Sequence, residues 1–357
     1  KIESPGMGLS VLPMHHSYEM TCHIFTGMYQ GMCIAICEGL KHIQKNMKES
    51  EATVMLGVPL IFETMHKKIW KQAEGSGKAE TMRNMVRLSR KTKLYNNQKL
   101  IRKIFGQLHQ STGNHMSLFI AGGAAINPEV IRDYEAMGIP MIQGYGMTEN
   151  APIIAVNRDR YSKADSVGKP MPGTEVKIID PDRDGIGEII CRGPSVMIGY
   201  YNDPEATEQV LRDGWLYTGD YGRFDEEGFL YVCGRKKNVI VTKNGKNIFP
   251  EEVEYYLLKN KYIEEVMVYG TIDKRTGDTI VRADIYPDYA AINEELGEMS
   301  EEGLKDFMKA VIDETNEEMP LYKRVKRFRI RDEEFEKTTT RKIKRHSQLQ
   351  NDDPQED

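Results

Sequence analysis

The sequence predicts an α/β fold, with mixed sheets flanked by helices leading into a smaller β-rich piece and then a small α+β piece. Three observations predict it. Residues 9–157 alternate short apolar runs with amphipathic stretches, as strand–helix units do. Residues 167–233 change to a period of two. After Gly234 the chain becomes compact and charged, with helical and extended stretches mixed. Its 357 residues leave room for two or three domains, at about 100–200 residues each. The boundaries read 1–166 for the large α/β part, 167–233 for its β-rich subdomain, 234–345 for the α+β domain, and 346–357 for a polar, disordered tail.

Taken in order, the apolar run Ser117-Leu118-Phe119-Ile120-Ala121 stops at Gly122-Gly123, as a buried strand would. Asn127-Pro128-Glu129 then opens a helix, with Asn as cap, Pro at the first position and an acid facing the dipole. Ile139-Pro140-Met141-Ile142-Gln143 reads as the next strand, ending in a glycine turn at Gly144-Tyr145-Gly146. Two strands that end in such turns would form one wall of a ligand crevice. Further on, Val176, Ile178 and Ile189 alternate with polar residues about a turn at residues 180–185. A second hairpin turns at Glu226-Glu227-Gly228, and Asp203-Pro204-Glu205 caps a short helix between them. Pro250 starts a helix that puts Val253, Tyr256 and Leu257 on one face. Strands are expected at residues 265–270 and 281–286, then an acidic helical region at 294–319. Residues 323–345 carry eleven Lys or Arg against four Asp or Glu. The interleaved Val325, Phe328 and Ile330 make the start of that stretch a strand with one buried face rather than a nucleic-acid patch.

Charge excludes some functions. The formal net charge is −5, so no global field draws the chain to nucleic acid or an anionic membrane. No apolar run approaches the roughly 20 residues that span a bilayer. The five cysteines (Cys22, Cys33, Cys37, Cys191 and Cys233) make no CxxC pair and no zinc spacing, which fits reduced thiols in a cytoplasm. The chain opens on Lys1, and residues 1–10 read as mid-protein sequence, so a fragment is expected.

Four stretches carry chemistry. In Gln143-Gly144-Tyr145-Gly146-Met147-Thr148-Glu149 the glycines permit close backbone approach, and the tyrosine offers a flat face for a base. Thr148 can donate to a phosphate oxygen, and Glu149 can hold Mg²⁺ against phosphates. Tyr217-Thr218-Gly219-Asp220 sets a carboxylate after a glycine turn, suited to two ribose hydroxyls. Gly234-Arg235-Lys236-Lys237 precedes Lys243-Asn244-Gly245-Lys246-Asn247-Ile248-Phe249-Pro250-Glu251-Glu252. Thr338-Thr339-Thr340-Arg341-Lys342-Ile343-Lys344-Arg345 places a lysine in a polar C-terminal segment. Taken singly, each has a plainer reading as a turn, a cap or a solvated basic run.

In this order and spacing the four stretches resemble the core motifs of the acyl-adenylate-forming superfamily of AMP-binding enzymes. With Leu12-Pro13-Met14-His15-His16, Gly122-Gly123-Ala124-Ala125 and Gly199-Tyr200-Tyr201-Asn202-Asp203-Pro204-Glu205, the chain looks most like long-chain fatty acyl-CoA synthetases. The resemblance implies a partial large adenylate-forming domain and a mobile C-terminal domain. It also implies ATP-dependent ligation of a fatty acid to coenzyme A through acyl-AMP, with Mg²⁺ as cofactor and peripheral contact with a membrane. Gly122, Gly123 and Ala124 would line the adenine and acyl side, with Gly144, Tyr145 and Gly146 against the adenine. Thr148 would touch the α-phosphate, Glu149 would bind Mg²⁺, and Asp220 with Arg235 would hold the ribose. Lys342 would bridge the acyl carboxylate and the α-phosphate. Lys237 would be the hinge, Gly245 would line the coenzyme A channel, and His16 would lie by the acyl pocket.

Two departures stand out. Arg341 replaces the glycine usual before the catalytic lysine. The family's loop for the β- and γ-phosphates lies upstream of Leu12 and is missing, so these residues alone are expected to give no ATP–pyrophosphate exchange. Two other functions stay open: loading an acyl carrier protein, or binding AMP or coenzyme A without catalysis. Tyr18, Met20, Met28 and Met32 form a soft apolar set that reads as plain core or as an adaptable lipid tunnel.

Overall fold

The computed structural model describes residues 6–158, 161–243, 245–338 and 342–345. Asn244, Arg341 and the tail expected to be disordered lie outside them. The chain divides into two compact units, residues 1–179 with 189–218 and 223–231, and residues 180–188 with 219–222 and 232–357.

The first unit is built on strands β1 (Met7–Ser10), β2 (Cys33–Ile36), β3 (Val54–Gly57), β4 (Leu118–Ala121), β5 (Met141–Gly146), β6 (Ile153–Val156) and β7 (Lys169–Pro170). They form one sheet in the order β2-β1-β3-β4-β5-β6-β7. The first five strands run parallel, and β6 and β7 reverse direction. The order turns back on itself between β1 and β3, a switch point at which loops leaving the carboxyl ends part and open a crevice. Beneath the sheet, Phe119 of β4 packs edge-on against Tyr134 at 5.2 Å and tilted against Phe62 at 5.1 Å. The Tyr134 hydroxyl donates to the Phe62 carbonyl at 3.2 Å, so this buried ring keeps its polar partner. Phe119→Ala is expected to cost about 3–5 kcal/mol in urea unfolding. A loss below about 1 kcal/mol would mean that the site relaxes to fill the cavity.

The helix Pro128–Ala136 begins as the sequence predicts, with the Asn127 side chain accepting from the Glu129 amide at 2.9 Å. Gly144-Tyr145-Gly146 is different. These residues do not turn; they continue β5 and pair with β6. Their glycines answer to the neighbouring strand, since a Cβ at Gly146 would lie 2.1 Å from the Pro152 carbonyl oxygen. A bulge at that point kinks the ladder, and the chain leaves it at Met147.

The chain continues through β8 (Glu175–Ile179), β9 (Gly187–Arg192), β10 (Leu211–Arg212), β11 (Trp215–Phe224) and β12 (Leu230–Arg235). These form a five-stranded sheet in the order β10-β11-β9-β8, with β12 on β11. The hairpin turn lies where the sequence puts it. Asp225 accepts from the amides of Glu227 at 3.0 Å and Phe229 at 2.8 Å.

In the second unit, β13 (Ile240–Val241) and β14 (Asn247–Ile248) pair as a short ladder. β15 (Ile263–Ile272), β16 (Thr279–Pro287) and β17 (Val325–Ile330) form a three-stranded sheet. Helices Pro250–Leu257, Tyr289–Leu296 and Glu301–Glu317 share its core, through Val253, Leu257, Ile292, Met308 and Ile312. The acidic helical region expected at 294–319 holds the end of one helix and the whole of the next. Gly297 takes a left-handed φ of 80°, and the Ser300 side chain caps the second helix on the Gly303 amide. Strict alternation along β17 would put Val325 opposite Phe328 and Ile330. An irregularity against Val281 and Arg282 leaves Lys326 unpaired, and all three apolar residues reach the same core.

Candidate functional site

In the first unit the predicted residues gather at the carboxyl ends of β1, β4 and β5. His16 follows β1 and caps a helical turn, its Nδ1 accepting from the Tyr18 amide at 3.2 Å. Ser17 Oγ and Thr148 Oγ1 are 3.1 Å apart, which joins the His16 segment to the Thr148-Glu149 turn. The Tyr18 hydroxyl donates to the Ile120 carbonyl of β4 at 3.1 Å, and its ring covers Gly122, where a Cβ would lie 2.8 Å from the Tyr18 Cζ atom. Gly122 therefore serves the fit of Tyr18, while Gly123 and Ala124 are exposed beyond it. Tyr145 is half-buried on β5. Met28 is 67% exposed, and Met20 and Met32 are half-buried. The apolar set is therefore not plain core; Tyr18 contacts His16 and Gly122, and the Met20 amide donates to the His16 carbonyl at 2.9 Å.

Thr148 and Glu149 lie in the single turn Thr148–Asn150. The Tyr200 hydroxyl donates to Glu149 Oε1 at 2.9 Å. Burial, and then the Glu149 carboxylate, raise the Tyr200 pKa, so Tyr200 stays the donor at neutral pH. Among the described residues no three His, Cys, Asp or Glu side chains converge on one point. A lone carboxylate in a half-buried turn fits Mg²⁺ all the same, because that ion takes one or two protein carboxylates and fills its shell with phosphate oxygens and water.

In the second unit, Asp220, Arg235 and Lys342 come together from three stretches of chain. Alternation along β11 turns Asp220 inward, where it is 5% exposed. Arg235, closing β12, donates from Nε to Asp220 Oδ1 at 2.9 Å. Lys342 belongs to a hairpin. The Thr338 amide donates to the Lys342 carbonyl at 2.8 Å, the Lys342 amide donates to Thr338 Oγ1 at 3.1 Å, and Lys337 bridges Ile343. Lys342 counts as exposed by surface area, yet enough protein surrounds its ammonium that desolvation lowers its pKa. Arg235 adds to the drop and Asp220 opposes it. Just beyond, Arg345 donates to the Val268 carbonyl at 2.9 Å and pairs with Glu254, which also accepts from the Val268 amide at 2.6 Å.

Lys237 is exposed in the short helical turn Lys236–Asn238. Neighbouring Lys236 is tied to Glu188 at 2.6 Å. Gly245 sits in the turn between β13 and β14 with φ 71°, its amide bonded to the Thr242 carbonyl at 2.9 Å. A built Cβ meets nothing within 4 Å there. The turn thus has the left-handed geometry that favours glycine, and also open space above it. Sequence reasoning missed Ser17 as a neighbour of Thr148 and Tyr200 as a neighbour of Glu149. Only the chain's return could reveal either.

Comparison with known proteins adds relatives. Residues 5–201 match the AMP-binding enzyme family, and residues 237–351 match the AMP-binding enzyme C-terminal domain. A long-chain-fatty-acid–CoA ligase of Bacillus subtilis (strain 168) is 40% identical over 188 residues, 49% of this chain and 33% of that protein. An indoleacetate–CoA ligase of Aromatoleum aromaticum is 42% identical over 170 residues, 45% of this chain and 33% of that protein. The chain therefore spans about a third of the length of these two relatives. Among solved structures, o-succinylbenzoate CoA synthetase from Bacillus subtilis, in complex with its acyl-adenylate intermediate, superposes with a TM-score of 0.70. It is 25% identical, over 97% of this chain and 61% of that one. No helix among the described residues is long and apolar enough to cross a membrane.

Proposed function

Because the chain belongs to the AMP-binding enzyme family, we propose that it serves ATP-dependent ligation of a fatty acid to coenzyme A through an acyl-AMP intermediate. One observation carries the reading: the buried Asp220, its partner Arg235 and the hairpin lysine Lys342 meet in one unit. Asp220 is the acceptor that two ribose hydroxyls require. Arg235 holds that carboxylate in place. Lys342 supplies a fixed ammonium where charge accumulates as a carboxylate oxygen attacks the α-phosphorus and pyrophosphate leaves. In the second step the coenzyme A sulfur bonds to the acyl carbon, and the mixed anhydride releases AMP. Magnesium held by Glu149 would neutralise charge on the phosphates. Thr148, braced by Ser17, would donate to the α-phosphate. The long-chain substrate follows the Bacillus subtilis relative, and chain length is settled by assay.

The test is calorimetric titration with AMP, followed by supplied lauroyl- or palmitoyl-AMP with coenzyme A. Saturable AMP binding and a thioester product support the reading. AMP binding without thioester, but with transfer to an acyl carrier protein, would change the acceptor. No AMP binding would overturn the assignment.

Gly245 gives a separable prediction. In the full-length protein, Gly245→Leu is expected to let acyl-AMP form and then accumulate, because a side chain projects into the open space above the turn. The left-handed φ adds roughly 1–2 kcal/mol of strain, readable as a modest drop in melting temperature. Loss of both half-reactions together, with a melted circular-dichroism spectrum, would assign Gly245 to the turn alone.

A further inference from the structure

Glu149 is held by a segment far away in the chain. Its backbone carbonyl accepts from the Met197 amide at 2.8 Å, and its Oε1 accepts from the Tyr200 hydroxyl at 2.9 Å. The next residue, Asn150, is fully buried. Its Oδ1 accepts from Ser195 Oγ at 3.3 Å, and its side-chain Nδ2 donates to the Ile153 carbonyl at 2.8 Å. Residues 195–200 therefore run along the Thr148–Asn150 turn and fasten to it at three points. Tyr200 is anchored from the other direction as well. Its amide donates to Thr207 Oγ1 at 2.9 Å, and that hydroxyl donates to the Asp203 carbonyl at 2.7 Å, inside the helix Pro204–Val210 that Asp203 caps. Tyr201 next to it is 92% exposed, and Ile198 is fully exposed. Of this stretch's large side chains, Tyr200 is the one that turns back to the carboxylate.

A surface tyrosine bonded to a glutamate is often incidental, worth about 1 kcal/mol. Here the main chain on either side of the tyrosine is fixed, so the hydroxyl comes to Glu149 with little freedom left to lose. A hydroxyl that engages one carboxylate oxygen orients the group and leaves the other oxygen to face a ligand. Residues that hold a metal-binding carboxylate in this manner tune its affinity without touching the ion.

We propose that Tyr200 is a positioning residue for the divalent-cation site, fixing the Glu149 carboxylate so that one oxygen presents to a nucleotide-bound cation. This rests on the reading of Glu149 as the cation-holding carboxylate. The test is electron paramagnetic resonance titration of Mn²⁺ into the full-length protein with α,β-methylene-ATP, which cannot transfer its adenylyl group. Wild type, Tyr200→Phe, Tyr201→Phe and Glu149→Gln are compared. Tyr200→Phe is expected to weaken Mn²⁺ binding roughly 10-fold, Tyr201→Phe to leave it unchanged, and Glu149→Gln to abolish it. A merely structural tyrosine would lower the melting temperature and weaken nucleotide binding in EDTA as well; both should stay at wild-type values in Tyr200→Phe. Tight Mn²⁺ binding by Tyr200→Phe, with Glu149→Gln still defective, overturns the proposal and leaves the site reading intact. Undiminished binding by Glu149→Gln overturns both.

Discussion

Replacing Lys342 with alanine is expected to slow acyl-AMP formation by about 100- to 1,000-fold, the usual loss when one preorganised charge is removed from a transition state. Thioester formation from supplied acyl-AMP should survive in the same protein. The asymmetry follows from the hairpin. Lys342 is held by backbone bonds to Thr338, so losing its side chain removes a charge without removing a support. Measured in the full-length protein, the two half-reactions separate cleanly. Equal loss of both would make the lysine structural. A pH profile adds a second check. Desolvation and Arg235 lower the Lys342 pKa below the ordinary lysine value of 10.5. The ammonium is therefore lost earlier than a free lysine's as pH rises, and adenylation should fall on that alkaline limb. In Lys342→Arg, whose guanidinium keeps its proton, the limb should disappear even though the absolute rate is lower.

Asp220→Ala should act on binding rather than on one step. Two hydrogen bonds from ribose to a carboxylate, at about 1.5–3 kcal/mol each, amount to more than a hundred-fold in affinity. The loss should therefore appear for AMP, ATP and acyl-AMP alike. Stability should change far less through the lost pair. The Arg235 side chain is 46% exposed, so water replaces the carboxylate and the cost is about 1 kcal/mol or below. Calorimetric titration with AMP and thermal melting together test this. Unchanged AMP affinity would remove Asp220 from the ribose site, and a collapse in melting temperature would make it a structural carboxylate.

Much of this was legible in the sequence because local chemistry dictated it. Asn127-Pro128 and Asp203-Pro204 each announce a helix cap, and each side chain accepts from an amide of the first turn; Glu226-Glu227-Gly228 announces the hairpin turn, which forms there. Apolar spacing placed Val253 and Leu257 in the core. What stayed hidden depended on partners distant in the chain. Gly144 and Gly146 look like a turn until β6 is laid beside them, and the parity of Val325 with Phe328 makes sense only once Lys326 is seen to bulge. The site divides in the same way. Motif order alone points to Asp220, Arg235 and Lys342. That Tyr200 bonds Glu149, 51 residues away in sequence, is a property of the folded chain.

Arg345 sets a limit on how far this polypeptide could be shortened. Its guanidinium joins the lysine hairpin to Glu254 and to the carbonyl of Val268, three residues beyond Lys342. Burial, with a smaller push from Glu251, raises the Glu254 carboxyl pKa, and Arg345 and the Val268 amide oppose that rise. Cutting after Lys344 would therefore remove no motif residue assigned a role in the reaction. It would still leave a buried acid without its counter-charge and the hairpin without its peg. Cutting after Arg345 would leave both contacts in place. For a protease, an affinity tag or a fused neighbour, a terminus placed before Arg345 is therefore a damaging one.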